Sequence, residues 1–396
     1  VDFPIDVVYM WVDGDDPVWQ ARMRQAQLAG RDDRPASPAG ADDPPRPLAD
    51  EAGPDEPGSE EAGAADLLEL GAAEPDGAGT AEWRFRTRDE LRYSMRSIEM
   101  YAPGVNHVYL VADDQAPRWL DLDSQFVTLV RHREIFRDPS LLPVFNSHAI
   151  GSQLHHIPGL TEHYLIMNDD MLLQSVVAPE LFFGPGGLAK FRPSNGRRRL
   201  VERGLATDLE LARLNSSEWL SDQFQRTYSN FFTHTPVPQV RSVAYELEER
   251  FPDLYASVAA SKFRGPEDHE LNSWFLLYYL LSTGRATRSD LLFAYHDLSK
   301  VGRAKVENDL KRRDIQVVCL NDGPTDSSVD TAWVKPLLGR YFGRTASFEL
   351  PEPDWREAVS WLAAPAPDDG GAAGGGAGLA DGTVSEADGG MLDSGR

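Results

Sequence analysis

Short apolar runs that each stop at acidic or polar residues, with helix-period segments between them, constrain this chain more than any other feature of its sequence. PIDVVYMWVDGDD is a β-branched run halted at Asp13-Gly14, and it reads as a buried strand ending in a turn. HVYLVADD, FVTLVRH and HYLIMNDD repeat the form. Between them RDELRYSMRSIEMYAPG sets Leu91, Met95, Ile98 and Tyr101 at three- and four-residue spacing before a Pro-Gly stop, the signature of an amphipathic helix. Strands alternating with helices imply an α/β chain with a mainly parallel, Rossmann-like sheet.

Around that frame the spacing predicts a helix from Pro17 to Leu28, a helical stretch after Ser147, and helices over Trp219–Phe232, Val240–Phe251, Glu267–Ser282 and Thr331–Tyr341. Strands are expected at Leu291–Tyr295 and QVVCLND. The stripe Trp274, Phe275, Tyr278 and Tyr279 reads as core packing. Residues 30–80 are Ala, Gly, Pro, Asp and Glu with few large apolar side chains, and such a composition cannot offset the entropy of ordering. An acidic disordered insertion is expected there, and a Gly/Ala-rich disordered tail over 364–396, so that 1–29 and 81–363 form a single catalytic domain.

The charge follows the same division. Of the net −24, −12 falls between Gly30 and Glu82 and −5 between Ala364 and Arg396, leaving −7 for the remainder. A body this mildly acidic lacks the basic stripe of a nucleic-acid footprint and the polybasic patch of a membrane-surface protein. No stretch reaches about 18 uninterrupted apolar residues and no signal-peptide pattern opens the chain, so no membrane span is expected, although peripheral association is compatible with the sequence. The single cysteine, Cys319, excludes an intramolecular disulfide and reads as a buried structural thiol.

Chemistry is expected where strands end. Asn168-Asp169-Asp170 follows an apolar strand directly, and open α/β sheets bind ligands at the carboxyl ends of their strands. Hard oxygen ligands suit Mg²⁺ or Mn²⁺ bridging a diphosphate; an Asn-Asp-Asp turn capping the next segment is the competing reading. Asp169, Asp170, Asn321 and Asp322 are the candidate metal ligands. Asp6 begins the first strand and Asp13 and Asp15 end it, though Asp6 also reads as an ordinary strand-edge residue. His234, in the proline-bounded FFTHTPVP, can take a proton from a hydroxyl, and Arg264, in KFRGPED, can clamp a phosphate; each also reads as a satisfied loop residue. Arg92, Asp113, Gln115 and Asn168 are candidate substrate contacts, with a turn as the alternative for Asp113 and Gln115. His148, His155 and His156 suggest zinc only superficially, because no CxxC or HExxH arrangement accompanies them.

Several blocks together resemble the Stealth family of hexose-1-phosphate transferases, which includes bacterial capsule polysaccharide phosphotransferases and the N-acetylglucosamine-1-phosphotransferase that marks lysosomal enzymes. IDVVYMWVDGDD is similar to its first block. Most of Arg84–Met171, including DELRYSMRSIEMYAPG, LPVFNSHAIGSQLHHIPGL and LIMNDDM, is similar to its second. THTPVP with KFRGPEDHELNSWFLLYYLL is similar to its third, and CLNDGPTD with SFELP to its fourth. The chain reads His234-Thr235-Pro236 where the family commonly has an HMP-type sequence.

The resemblance implies a glycosyltransferase-A-like sheet with helical additions. It also implies transfer of a sugar 1-phosphate from a UDP-sugar, UDP-N-acetylglucosamine by family frequency, to a glycan hydroxyl, with UMP released. Asp6, Asp170, His234 and Arg264 are its functional positions, with Mg²⁺ or Mn²⁺ as cofactor and a cytoplasmic setting at the inner face of a bacterial membrane. Two rivals stand beside it: a metal-dependent glycosyltransferase releasing UDP, and a non-catalytic carbohydrate-binding protein stacking sugars on Trp11, Trp83 and Trp119.

Overall fold

The opening apolar run becomes the middle strand of a five-stranded sheet. The computed structural model describes residues 1–32, 85–197, 206–226, 228, 230–321 and 331–351. Its first half runs β1 (Ile5–Met10), α1 (Pro17–Asp32), α2 (Glu90–Tyr101), β2 (Val105–Ala112), β3 (Val127–Arg131), α3 (His132–Ile135), α4 (Ser147–Gly151), β4 (His163–Met167) and β5 (Met171–Leu173). Next come β6 (Ala189–Phe191), β7 (Pro193–Arg197), α5 (Asp208–Phe224), β8 (Asn230–Phe232), β9 (Val237–Val240), α6 (Arg241–Arg250) and α7 (Pro252–Ala259). The chain continues through α8 (Leu276–Ser282), β10 (Ala286–Arg288), β11 (Phe293–Asp297), α9 (Arg303–Lys311), β12 (Val317–Asn321) and α10 (Val334–Tyr341).

The main sheet has the order β3-β2-β1-β4-β9, with β1, β2, β3 and β4 parallel and β9 antiparallel at the edge. This is the α/β, Rossmann-like arrangement expected from the alternation. Both faces of the sheet are covered, and the strands show it residue by residue. Val7, Tyr9, Val108, Leu110, Leu165 and Met167 pack into one core with α2, while Val8, Tyr109, Val111, Tyr164 and Ile166 pack into another with the segment around α4. Full burial of each such side chain contributes about 1.5–3 kcal/mol, which explains why both alternate positions are apolar.

From β1 the chain moves outward to β2 and β3, then crosses back over β1 to β4. The strand order therefore reverses between β1 and β4, and at that point an open sheet leaves a crevice outside its carboxyl ends.

A smaller sheet, β11-β12-β5, continues from the turn after β4, with β12 antiparallel to β5. The stripe Trp274, Phe275, Tyr278 and Tyr279 lies in a third core with Leu220, Leu247 and Tyr255, as packing residues. Several boundaries differ from expectation. Helix α1 continues past Leu28 to Asp32. The helix expected over Trp219–Phe232 starts earlier, because Thr207 and Glu210 form a reciprocal capping box at its head, and it stops at Gln225, which is left-handed at φ 50°. Its last expected residues form β8 instead. Within Glu267–Ser282 the first turn is π-helical, over Leu271–Phe275. Residues 33–84 and 352–396, which hold nearly all of the expected insertion and tail, lie outside the described residues. Among the described residues no helix is long and apolar enough to cross a membrane.

Candidate active site

Strand β4 ends in Asn168-Asp169-Asp170, a turn closed by Met171 N donating to Asn168 O at 3.2 Å. Two distant segments are brought to it by strand pairing. Antiparallel β9 sets Val237 against Ile166, so the loop before β9 carries His234 to the carboxyl end of β4. That loop is pinned from behind, since both Thr233 N and Thr233 Oγ1 donate to Arg192 O, at 3.2 and 3.0 Å. Antiparallel β12 sets Cys319 against Met171, and Leu320 N donates to Asp170 O at 2.9 Å.

The result is a four-residue contact. His234 Nε2 lies 3.5 Å from Asp170 Oδ1 and 3.2 Å from Asn168 Nδ2, and Cys319 Sγ donates to Asp170 Oδ2 at 3.3 Å. Burial drives the Asp170 carboxyl up, but His234 and the Cys319 hydrogen bond outweigh it and hold the group below the usual carboxylate range. Burial, with Asp170 beside it, pushes the Cys319 thiol well up, so it stays protonated and serves as a donor. The structural thiol expected at Cys319 is thus buried but aimed at Asp170. Asp169, adjacent in sequence, goes the other way: burial and the nearby Asp170 and Glu90 carboxylates push it up to about 8.

Asn168, Asp169 and His234 border a cavity of about 390 Å³ at the end of β1 and β4, together with Trp11 and Arg264, while Asp170 and Cys319 stand behind its wall. Gly14 permits its rim to close, because a Cβ there would sit 2.1 Å from Phe85 O, and Phe85 is one of its walls. Arg264 is half-buried and its Nη2 donates to Ser147 Oγ at 2.7 Å. Arg192 donates from Nη1 to Leu291 O at 2.8 Å. Both arginines border the cavity and neither has an ion-pair partner among the described residues, the Arg192 guanidinium lying over the Phe293 ring at 5.8 Å. The π-helical turn supplies Asn272, Ser273 and Trp274 to the same wall.

Of the residues singled out from sequence, Asn168, Asp169, Asp170, His234 and Arg264 come together. Asp113 also borders the cavity, but it is buried and ion-paired to Arg22 at 3.0 Å. The others are displaced for physical reasons. Asp6 stands at the opposite end of β1, four residues or about 13 Å of strand from Met10. Its two carboxylate oxygens accept from Asn106 Nδ2 and Thr161 N, both at 2.8 Å, which makes it a fully buried strand-edge lock. Arg92 ion-pairs with Glu349 at 2.6 Å and lies over Trp119. Gln115 spends its amide on Asp13 N, Asp13 O and Asp16 Oδ2, each at 3.0 Å, and so fastens the loop after β1. Asn321 closes β12 outside the cavity wall, accepting from Leu298 N at 3.0 Å, and Asp322 lies outside the described residues. Of the three tryptophans of the carbohydrate-binding reading, Trp11 borders the cavity, Trp119 does not, and Trp83 is outside the described residues.

Sequence reasoning missed Arg192 and Asn272, and weighed His148, which also borders the cavity, only as a zinc ligand. Arg192 carried no motif; the pairing of its neighbours Phe191 with Arg288 and Pro193 with Phe232, and the bonds of Thr233 to its carbonyl, bring it to the site. His155 and His156 form a separate cluster, with both Nε2 atoms 3.0 Å from Glu248 Oε2 and Arg137 Nη2 at 3.0 Å from the same oxygen.

The donor set fits a hard divalent cation in part. Asp170 Oδ1 is buried without a hydrogen bond, and Asp169 is a carboxyl destabilised as an anion by its acidic neighbours; both conditions are relieved by a cation bound through oxygen. Cys319 is within ligand reach of Asp170 and His234, but a protonated, soft sulfur is unsuited to Mg²⁺.

Comparison with known proteins adds three family matches. Stealth protein CR1, conserved region 1, matches residues 3–30; CR2, conserved region 2, matches 84–191; and CR3, conserved region 3, matches 233–282. Exopolysaccharide phosphotransferase SCO6021 of Streptomyces coelicolor is 37% identical over 357 residues, covering 89% of this chain and 57% of that protein. Exopolysaccharide phosphotransferase CpsY of Mycobacterium tuberculosis is 34% identical over 355 residues, covering 88% of this chain and 58% of that protein. The chain thus spans little more than half the length of these relatives. Among solved structures, the galactosyltransferase LgtC aligns at a TM-score of 0.36 and 10% identity, over 68% of this chain and 95% of that one.

Proposed function

The chain belongs to the Stealth family, whose conserved regions 1, 2 and 3 lie along it in order, and from that premise we propose that it transfers a hexose 1-phosphate from a nucleotide sugar to a carbohydrate hydroxyl. In this reading the donor is a UDP-sugar, UDP-N-acetylglucosamine foremost, the leaving group is UMP, and the acceptor is a polysaccharide at the cytoplasmic face of a bacterial membrane. Segments 1–29 and 81–363 act as one catalytic domain.

The observation that carries the reading is the meeting of two arginines without ion-pair partners among the described residues, Arg264 and Arg192, with His234 and Asp169 around one cavity at the switch point of the sheet. Transfer of a phosphoryl group is chiefly positioning and charge stabilisation, so an enzyme for it needs cationic clamps and a proton acceptor rather than a covalent nucleophile. Arg264 and Arg192 hold the phosphate oxygens. His234, braced by Asp170, contacts the transferring group or takes a proton. Asp169 and Asp170, with the Asn168 amide oxygen, would hold Mg²⁺ or Mn²⁺, which neutralises charge on the diphosphate. Trp11, half-buried in the cavity wall, offers an aromatic face to base or sugar.

The test is to incubate the protein with Mg²⁺, a panel of UDP-sugars and short glycan acceptors, and to identify the nucleotide released. UMP that is lost in Asp170→Asn is the expected result. UDP would instead assign glycosyl transfer, no nucleotide from any donor would favour a binding protein, and full release by Asp170→Asn would remove Asp170 from the mechanism.

A further inference from the structure

A second histidine borders the cavity, and its environment is unlike that of His234. His148 lies in the first turn of α4, where Asn146 Oδ1 caps its backbone N–H at 3.0 Å. Its Nδ1 stands 3.3 Å from Asp268 Oδ2. Asp268 is itself immobilised, accepting from Asn146 Nδ2 at 2.8 Å, Ser261 Oγ at 2.6 Å and Gly265 N at 3.3 Å. A carboxylate only accepts, so Nδ1 carries the proton that faces Asp268, and in the tautomer this fixes the Nε2 lone pair is the one left to take a proton. That Nε2 is buried and has no partner, on a side chain 3% exposed that borders the cavity. An orphaned buried acceptor is costly unless something completes it. By contrast, Nε2 of His234 already lies against Asn168 and Asp170. The neighbouring Ser147 Oγ holds Arg264, so the bare nitrogen and the proposed phosphate clamp are fixed by consecutive residues of one helix.

We propose that His148, oriented by Asp268, is the proton acceptor for the attacking sugar hydroxyl, and that His234 contacts the transferring phosphoryl group. The proposal rests on the phosphotransferase reading. The acceptor oxygen forms a bond to the β-phosphorus as the bridging bond from that phosphorus to the nucleoside monophosphate breaks. The bonding electron pair leaves on the nucleotide phosphate, and the hydroxyl proton passes to His148 Nε2. Asp268 is a positioning residue that fixes the tautomer and balances the imidazolium.

The experiment compares wild type, His148→Gln and Asp268→Asn for acceptor-dependent UMP release from UDP-N-acetylglucosamine, for UDP-N-acetylglucosamine affinity by calorimetry, and for the pH profile of kcat. His148→Gln is expected to lose about 10²- to 10⁴-fold in kcat with donor affinity retained, and to lose the acid limb of the profile. Asp268→Asn is expected to lower kcat with KM unchanged. Should the glutamine variant fail to fold, His148→Asn, whose amide can still donate toward Asp268, takes its place. An active wild type with a His148 variant within about threefold of it, or one altered in KM alone, overturns the assignment of the base while leaving the phosphotransferase reading intact. A wild type that releases UDP, or nothing, overturns both.

Discussion

At Arg264 the guanidinium gives one hydrogen bond, to Ser147 Oγ, and has no carboxylate partner among the described residues, although acidic residues surround the cavity. A cation left in that state contributes little to stability and much to anion binding. Arg264→Ala should therefore lower the rate of nucleotide release by about 10²-fold or more while leaving the melting temperature within about 2 °C of wild type. A large fall in melting temperature with turnover preserved would make the residue structural. Arg264→Lys should not restore full rate, because an ammonium does not reproduce the paired geometry of the guanidinium. Asp6 shows the opposite balance: both oxygens are spent within the fold, so its substitution belongs to stability.

At the scale of elements, the segment Ala346–Leu350 is fastened to α2 by two carboxylates: Glu99 of α2, which accepts from Ser347 N at 2.9 Å and Ser347 Oγ at 2.7 Å, and the buried Glu349 of the segment itself. Glu349, with no side-chain exposure, takes ion pairs from Arg92 at 2.6 Å and from Arg96, and accepts from Ala346 N at 3.0 Å. Its carboxyl is held below the usual range because the two guanidinium partners and that backbone bond outweigh the push of burial. Glu349→Ala would leave two positive charges facing each other without a counter-ion, and removal of one member of such a buried cluster costs about 3–5 kcal/mol. Urea unfolding should show that loss as a lower midpoint at unchanged slope. A midpoint within experimental error of wild type would show that apolar contacts and the Glu99–Ser347 hydrogen bonds suffice to hold α2 and this segment together.

For the molecule as a whole, acid sensitivity follows from a buried neutral histidine. Burial pushes His132 down to about 4, with Asp114 raising it and Arg22 lowering it to smaller degrees, and its Nδ1 has no partner. The unfolded chain binds a proton at this position near pH 6.5, while the folded chain resists until about pH 4. The stability tied to His132 is thus complete above about pH 6.5 and falls as pH drops toward 4, by up to about 3 kcal/mol. Denaturation curves at pH 7, 5.5 and 4.5 should show this slope in wild type and a shallower one in His132→Asn; equal slopes would remove His132 as its origin.

The sequence by itself determined the parallel sheet. Strands buried on both faces must be apolar at consecutive positions, and IDVVYM, HVYLVA and HYLIM show that pattern without any partner in view. It also determined that acids follow strand ends, and Asn168, Asp169 and Asp170 do stand at the carboxyl end of β4. Thr207 and Glu210 carry the spacing of a capping box in the sequence, and that spacing sets the start of α5.

What tertiary structure alone decided was which polar residues share a space. Gln115 and Asp169 both follow apolar strands, yet one is consumed in fastening a loop and the other borders the cavity. His234, Arg192 and Asp268 arrive through antiparallel pairing, a carbonyl contact and a loop closure between residues far apart in sequence. Local propensity is a property of neighbours along the chain, and these contacts are not. A side chain's remaining hydrogen-bonding capacity, which separates His148 from His234 and Arg264 from Arg92, exists only once every partner is in place.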